Sequence, residues 1–268
     1  MISFFSKDPT YHRSGRVQRG SAIIRGIQVA EYLGARYNPK EGYEDDVCIY
    51  IKPEAGTIFM KKSYVDLVDG YELAKWSKEN IPHPLIVTSQ YDKDYLIGKF
   101  DLFQPIFVIP QHHCNYERVK RERKEVTTVG YIGVRKEFDP YVVEIIEKLS
   151  KAGFEFIRYH TFQDRQDVVD FYKKIDLQLI WRPRKIRMKN VLKLTNAMSF
   201  GIPTVAYPEN CFVELDDYYL KANNIDELVA NLVKLRDNPE LYKEYSEKGV
   251  PKSEDYHIEN IAELYKKL

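Results

Sequence analysis

Residues 182–207 read RPRKIRMKNVLKLTNAMSFGIPTVAY, and the fold turns on how that stretch is parsed. It opens with a basic run, Arg182, Arg184, Lys185, Arg187 and Lys189. Val191, Leu192, Leu194, Ala197 and Met198 then recur at helical spacing. Gly201 predicts the end of that helix, because glycine tolerates the left-handed conformation just past a helix terminus, and Pro203 forbids its resumption. Thr204-Val205-Ala206-Tyr207 follows as a β-branched strand. A cationic loop that opens a helix suits a phosphate, since free backbone N–H groups and the positive dipole end point at the anion. Lys189 and Lys193 lie four apart, which predicts one shared helical face near that end.

Working outward, the second half alternates strand and helix. TTVGYIG (127–133) predicts a strand running into a glycine turn, followed by a helix over 140–152. FEFIRY (154–159), a helix over 166–174 and LQLIW (177–181) lead into the opening stretch. Helices are expected near 225–235, again from Pro239, and over 258–268. Strands separated by helices imply a parallel sheet with right-handed crossovers. The first half repeats the theme, with strands expected at 2–6, 47–51, 64–68, 85–89 and 106–110. Ser21 is placed to cap a helix through Ile23, Ile24, Ile27, Ala30 and Leu33. The charged run KRERKE (120–125) reads as a solvated linker, with 116–124 helical. At 268 residues the chain fits two α/β domains, 1–125 and 126–268.

Hydrophobic residues make up 44% and charged residues 30%, which argues against disorder. Lys+Arg 41 against Asp+Glu 40 leaves a net charge of +1, so no overall field drives nucleic-acid binding. The 21 tyrosines suit half-buried packing or sugar and base surfaces. Cys48, Cys114 and Cys211 are far apart and form no C-x-x-C pair, which points to neither zinc nor a disulfide framework. MISFFSKDPT has too short an apolar run for a secretion signal, and no segment approaches membrane-spanning length. A cytoplasmic location is expected.

Several polar residues are candidates for chemistry. Asp66 and Asp69 fall on opposite faces of a regular strand, so a metal pair is not expected, and Asp69 at the strand end could touch a hydroxyl. Asp92-Lys93-Asp94 resembles a metal-binding D-x-D only superficially. His112 and His113 are adjacent and face apart in extended chain, one packed and one solvated; His112 could instead face a cleft as a base. Gly15, Arg16 and Arg19 lie in the loop after the first strand, where ligands normally meet a βαβ unit.

The pattern K-x-x-x-K-L-x-N-A-M-x-x-G-I-P-T-V-A, from Lys189 to Ala206, resembles the donor-binding segment of GT-B-fold glycosyltransferases of the glycosyltransferase-1 (GT4-like) group. There the helix commonly reads as a basic residue followed by E-A-M-A-x-G-x-P-V-V. The resemblance covers most of 127–268 and the first half only loosely. It implies two Rossmann-like domains facing a cleft, the second binding a nucleotide-diphosphate sugar and the first the acceptor. Under it, Arg135, Lys189 and Lys193 contact the diphosphate, while Asp69 and His112 serve the acceptor side. Many relatives carry E-x7-E here; this chain has Met188 and Asn196 at those positions. Asn196 can still bond a ribose hydroxyl, and Glu209 or Glu214 could substitute for the missing acid.

The function implied is metal-independent transfer of a sugar from a nucleotide-diphosphate donor to a hydroxyl acceptor, with the donor as co-substrate and no cofactor. The acceptor is a glycan, a small molecule or a modified DNA base. Two other readings stand beside it. One is a glycosyltransferase acting on hydroxymethylated bases in DNA, which a basic groove from Arg13, Arg16, Arg19 and the 120–124 run would serve. The other is a noncatalytic nucleotide-sugar-binding module, motivated by Met188 and Asn196.

Overall fold

A computed structural model of the chain describes residues 1–11, 17–18, 20–123, 125–184 and 188–268. The first half is built on six parallel strands. After β1 (Ile2–Phe5) and a short antiparallel pair, β2 (Thr10–Tyr11) with β3 (Val17–Gln18), the strands are β4 (Arg36–Tyr37), β5 (Val47–Ile51), β6 (Ser63–Val68), β7 (Leu85–Val87) and β8 (Ile106–Val108). Their order is β4-β1-β5-β6-β7-β8. Ala22–Ile27 is wound as π-helix and continues into α1 (Gln28–Leu33); Ser21 makes no side-chain cap there. Helices α2 (Tyr71–Asn80) and α3 (Gln90–Phe100) connect the later strands.

The second sheet joins β9 (Thr128–Ile132), β10 (Glu155–Tyr159), β11 (Leu177–Ile180), β12 (Thr204–Ala206) and β13 (Leu220–Lys221) in the order β10-β9-β11-β12-β13, all parallel. Its helices are α4 (Arg135–Phe138), α5 (Val142–Lys151), α6 (Arg165–Tyr172), α7 (Leu192–Ser199), α8 (Ile225–Asp237) and α9 (Pro239–Ser253). Gly201 takes φ +68 just past α7, as expected of a left-handed terminus. The helix itself starts at Leu192, so Lys189 sits in the loop before it and not on a shared helical face with Lys193. In both sheets the chain lays its second long-range strand on one side of the first, then crosses to the other. The reversal opens a crevice between β1 and β5 in one sheet and between β9 and β11 in the other.

The last helix, α10 (Ile258–Lys266), leaves the second half and packs on the first. Ile258, Ile261 and Tyr265 are buried against Phe4, Val29, Ile49 and Ile86. Each buried isoleucine contributes roughly 1.5–3 kcal/mol, ample to hold a short helix in place. A fully buried ion pair lies beneath it: Arg25 donates to Asp66 and to the carbonyls of Ile109 (2.9 Å) and Pro110 (3.0 Å), while Tyr265 Oη donates to Asp66 at 3.2 Å.

Residues 116–123, expected to be helical, form an irregular connection that opens with a turn at 116–117 and a left-handed Arg118 (φ +52). Arg118 pairs with Glu254 and Glu259, and Arg121 and Arg123 pair with Asp176, so long-range carboxylates outbid a local helix. The run is therefore not a free basic face at Arg121 or Arg123. Neither His112 nor His113 is solvated; both are buried where the connection meets His257. Among the described residues no helix is long and apolar enough to cross a membrane, and no group of three His, Cys, Asp or Glu is placed to hold a metal.

Candidate functional site

The β9/β11 crevice gathers charge. Beyond β9 the chain turns at Gly133, whose missing Cβ makes room for Lys193: a Cβ there would lie 2.6 Å from Lys193 Nζ. That ammonium also sits over the Tyr131 ring, 5.0 Å from its centroid. Lys193 is in the first turn of α7, where the Leu192 N–H donates to Asn190 Oδ1 at 3.3 Å and the Leu194 N–H to the Val191 carbonyl at 2.9 Å. Beyond β11, Arg182 is buried and donates through Nε to Glu209 Oε1 at 2.9 Å and through Nη1 to Glu137 Oε2 at 3.4 Å. Arg184 adds a 2.9 Å bond to Glu137. Burial and the neighbouring Arg182 push Lys193 down to about 8. Burial opposes ionisation of Glu137, but Arg182, Lys189, Lys193 and Arg184 together hold it below the usual carboxylate range.

Across the cleft stands the C-terminal edge of the first sheet. The β6–β7 register breaks between Asp66 and Val68, and Val68 adopts φ +56, a conformation a β-branched residue avoids. The Asp66 carboxylate accepts from the Val68 N–H at 3.1 Å, which fixes the bulge. Asp69 is thereby aimed out of the sheet, where Lys52 from the end of β5 pairs with it. From the second half, Lys189 Nζ reaches Asp69 Oδ2 at 3.2 Å. Burial works against the charge on Asp69, yet Lys52 and Lys189 outweigh it and hold the carboxyl below its ordinary value. Asp69 does not cap α2, whose preceding residue is Gly70.

Nearby, Glu214 accepts from the Tyr91 N–H at 2.9 Å, linking the 3-10 segment Asn210–Tyr218 to the start of α3. Asp92, in the first turn of α3, is buried and accepts from Thr88 at 2.9 Å. Burial pushes its carboxyl up to about 7, with Glu214 and Asp69 adding to the effect.

Between the halves lies a cavity of about 160 Å3, walled by Ile24, His112, Ile132, Phe162, Lys193 and Asn196 among others. It is mostly apolar, with the Lys193 ammonium at the end nearest the β9 turn. His112 Nε2 is 2.8 Å from the Ile24 carbonyl and its Nδ1 3.2 Å from the His113 carbonyl, so both ring nitrogens face backbone acceptors. Its Nδ1 lies 3.3 Å from the Tyr116 hydroxyl, and burial lowers the ring to about 4. His112 therefore forms neutral wall and does not present a free base. The Asn196 amide oxygen, expected to meet a ribose, accepts the Cys114 N–H at 2.8 Å and fastens the connecting segment to α7.

Of the residues singled out by sequence, the structure gathers Lys193, Asn196 and His112 around the cavity, and Lys189 with Asp69 beside it. Arg135 is exposed and pairs with Asp139 at 3.4 Å; the arginine beside Lys193 is Arg182. Glu214 reaches α3 and not the Lys193 cluster. Asp92-Lys93-Asp94 is the opening of α3. Gly15, Arg16 and Arg19 lie outside the described residues. Sequence reasoning missed Glu137 and Tyr131; it singled out Arg182 in the basic run and Glu209 as a possible acid, but did not pair them.

No protein-family model matches the chain. A protein of Haemophilus influenzae named as an uncharacterized glycosyltransferase is 42% identical over 55% of this chain and 49% of its own length, so the chain spans about half of that relative. Among solved structures, a glycosyltransferase from Rickettsia africae ESF-5 superposes with a TM-score of 0.66 at 11% identity, covering 99% of this chain and 96% of that one. Sucrose-phosphate synthase from Thermosynechococcus elongatus does so with a TM-score of 0.63 at 10% identity, covering 99% and 98%. The architecture of two parallel α/β sheets facing a cleft is the GT-B fold of these glycosyltransferases.

Proposed function

We propose that the protein is a glycosyltransferase that moves a sugar from a nucleotide-diphosphate donor to a hydroxyl acceptor. The observation that carries this is the placement of Lys193, Gly133 and the opening of α7 at the β9/β11 switch point, beside an apolar cavity. The Haemophilus relative and the GT-B neighbours support the same activity. The cavity takes the flat apolar part of the donor; Lys193 and Lys189 face the diphosphate. The acceptor stands over the first sheet's edge at Asp69.

In the transfer, the acceptor oxygen bonds to the anomeric carbon and its proton passes to the Asp69 carboxylate. The bond from the anomeric carbon to the phosphate oxygen breaks, and the diphosphate leaves with that electron pair. Cations aimed at the leaving group lower the barrier by stabilising the charge that develops there. In this reading the lysines supply that charge and a metal is not required.

A thermal-shift screen of nucleotides and nucleotide-sugars on the wild type and Lys193→Ala tests the assignment. A donor at about 100 times its Kd adds roughly 2.7 kcal/mol of stability to the wild type, and Lys193→Ala should respond weakly. If no nucleotide moves the wild-type midpoint, the donor site is wrongly placed.

A further inference from the structure

Lys189 belongs to the loop that opens α7, yet its side chain is paired with the opposite half of the molecule. Its Nζ is 3.2 Å from Asp69 Oδ2, and both side chains are partly exposed at 30% and 21%, so the pair faces the cleft and is open to a ligand. Asp69 is presented by the strained Val68 backbone and held from its own half by Lys52. Such strain persists only where the surroundings enforce it, and it collects at functional positions. Lys189 also acts on the charge of Glu137 and Lys193, so it stands between the two strand edges.

We propose that Lys189 is a shared cation, held by Asp69 while the site is empty and drawn onto the diphosphate when the donor enters, so that donor binding and release of Asp69 are one event. This rests on the reading of Lys193 and the α7 opening as the diphosphate site. With Lys189 withdrawn, Asp69 keeps Lys52 and gains an open oxygen for the acceptor hydroxyl. Donor therefore binds before acceptor, and Asp69 competes with the diphosphate for one lysine. A contact that favours one state must be broken to reach the other, and its removal shifts the balance by the same amount.

Inorganic pyrophosphate is the probe, titrated calorimetrically into the wild type, Asp69→Asn, Lys189→Gln and the double variant. Lys189→Gln should weaken binding by about tenfold, the scale of one charge-assisted contact. Asp69→Asn should tighten it by about threefold to fivefold, the scale of a partly exposed ion pair, and Asp69→Ser should do the same. In the Lys189→Gln background the Asp69 substitution should change nothing. Equal tightening in both backgrounds would show only a general charge effect and would overturn the proposal, as would no tightening in either. If the wild type binds no pyrophosphate at all, the diphosphate site itself fails, a separate outcome.

Discussion

Each half of the molecule buries one arginine against a carboxylate, and the two pairs do different things. Arg25–Asp66 is sealed: Arg25 donates through Nε to Asp66 and through Nη1 to two backbone carbonyls, its Nη2 is buried without a partner among the described residues, and Tyr265 closes the other side. Arg182–Glu209 is equally buried but stands at a strand C-terminus, with Glu137, Lys193 and Arg184 beside it. Burial keeps the sealed pair out of reach of a ligand. The edge pair lies close enough to bear on the charge of Lys193, which faces the cavity: after burial, Arg182 pushes its ammonium down and Glu209 pushes back. Position relative to the sheet, not residue type, separates structural from functional electrostatics.

The sharpest way to break that contrast is to remove one partner from each pair. Asp66→Ala strands a buried guanidinium and should cost about 3–5 kcal/mol in urea denaturation. Arg182→Met should cost less, because Lys193 remains to face Glu209; equal losses would erase the distinction. Next in size, Lys193→Met should weaken pyrophosphate binding by about tenfold to a hundredfold. Wild-type affinity should fall as pH rises through about 8, where the Lys193 ammonium is lost, and the variant should show no such step.

Asp92 supplies a third case, a buried carboxyl bonded by Thr88 with its other oxygen unpartnered among the described residues. Its folded value of about 7 lies above the ordinary 3.8, so the folded state binds more protons between those limits. The stability it contributes is complete below pH 4 and is lost as pH rises through 7. Asp92→Asn should therefore gain roughly 1–2 kcal/mol at pH 8 and little at pH 4, as melting curves at both pH values would register. The smallest effect on binding is expected at Gly133→Ala. The new methyl meets the flexible end of Lys193 and the Tyr131 hydroxyl, and the backbone there takes φ +156, which L side chains rarely adopt, so stability should fall by about 1–3 kcal/mol while pyrophosphate binding weakens about twofold to fivefold.

Much of the second sheet was legible because its signals are local. Gly201 and Pro203 end α7 where expected, and strands β9 to β12 follow apolar runs of the right length. Lys193 could be placed at the site because only its helix register mattered. Lys189 could not be assigned a helical face, since α7 begins three residues later. Glu209 lies 27 positions from Arg182 and Asp69 lies 120 from Lys189, separations at which no pattern in the chain names a partner. His112 and Asn196 have side chains suited to ligands, but backbone groups of Ile24 and Cys114 claim them, and those partners lie 88 and 82 positions away along the chain. The bulge that aims Asp69 was hidden for the same reason: it depends on Asp66 being pinned by Arg25 and Tyr265.

The docking of α10 on the first sheet has a consequence for how the protein is made. Residues 128–253 contain every described strand of the second sheet and the α9 helix that packs on its core, and all of them precede α10. The first sheet, although translated earlier, has one apolar face covered only in part, by α1, and Asp66 lacks its tyrosine until Ile258, Ile261 and Tyr265 arrive. At synthesis rates of about 5–20 residues per second, the exposed interval between residue 108 and residue 265 lasts roughly 8–30 seconds. The half translated first is thus the last to mature, and it is the half that a nascent-chain chaperone would need to shield.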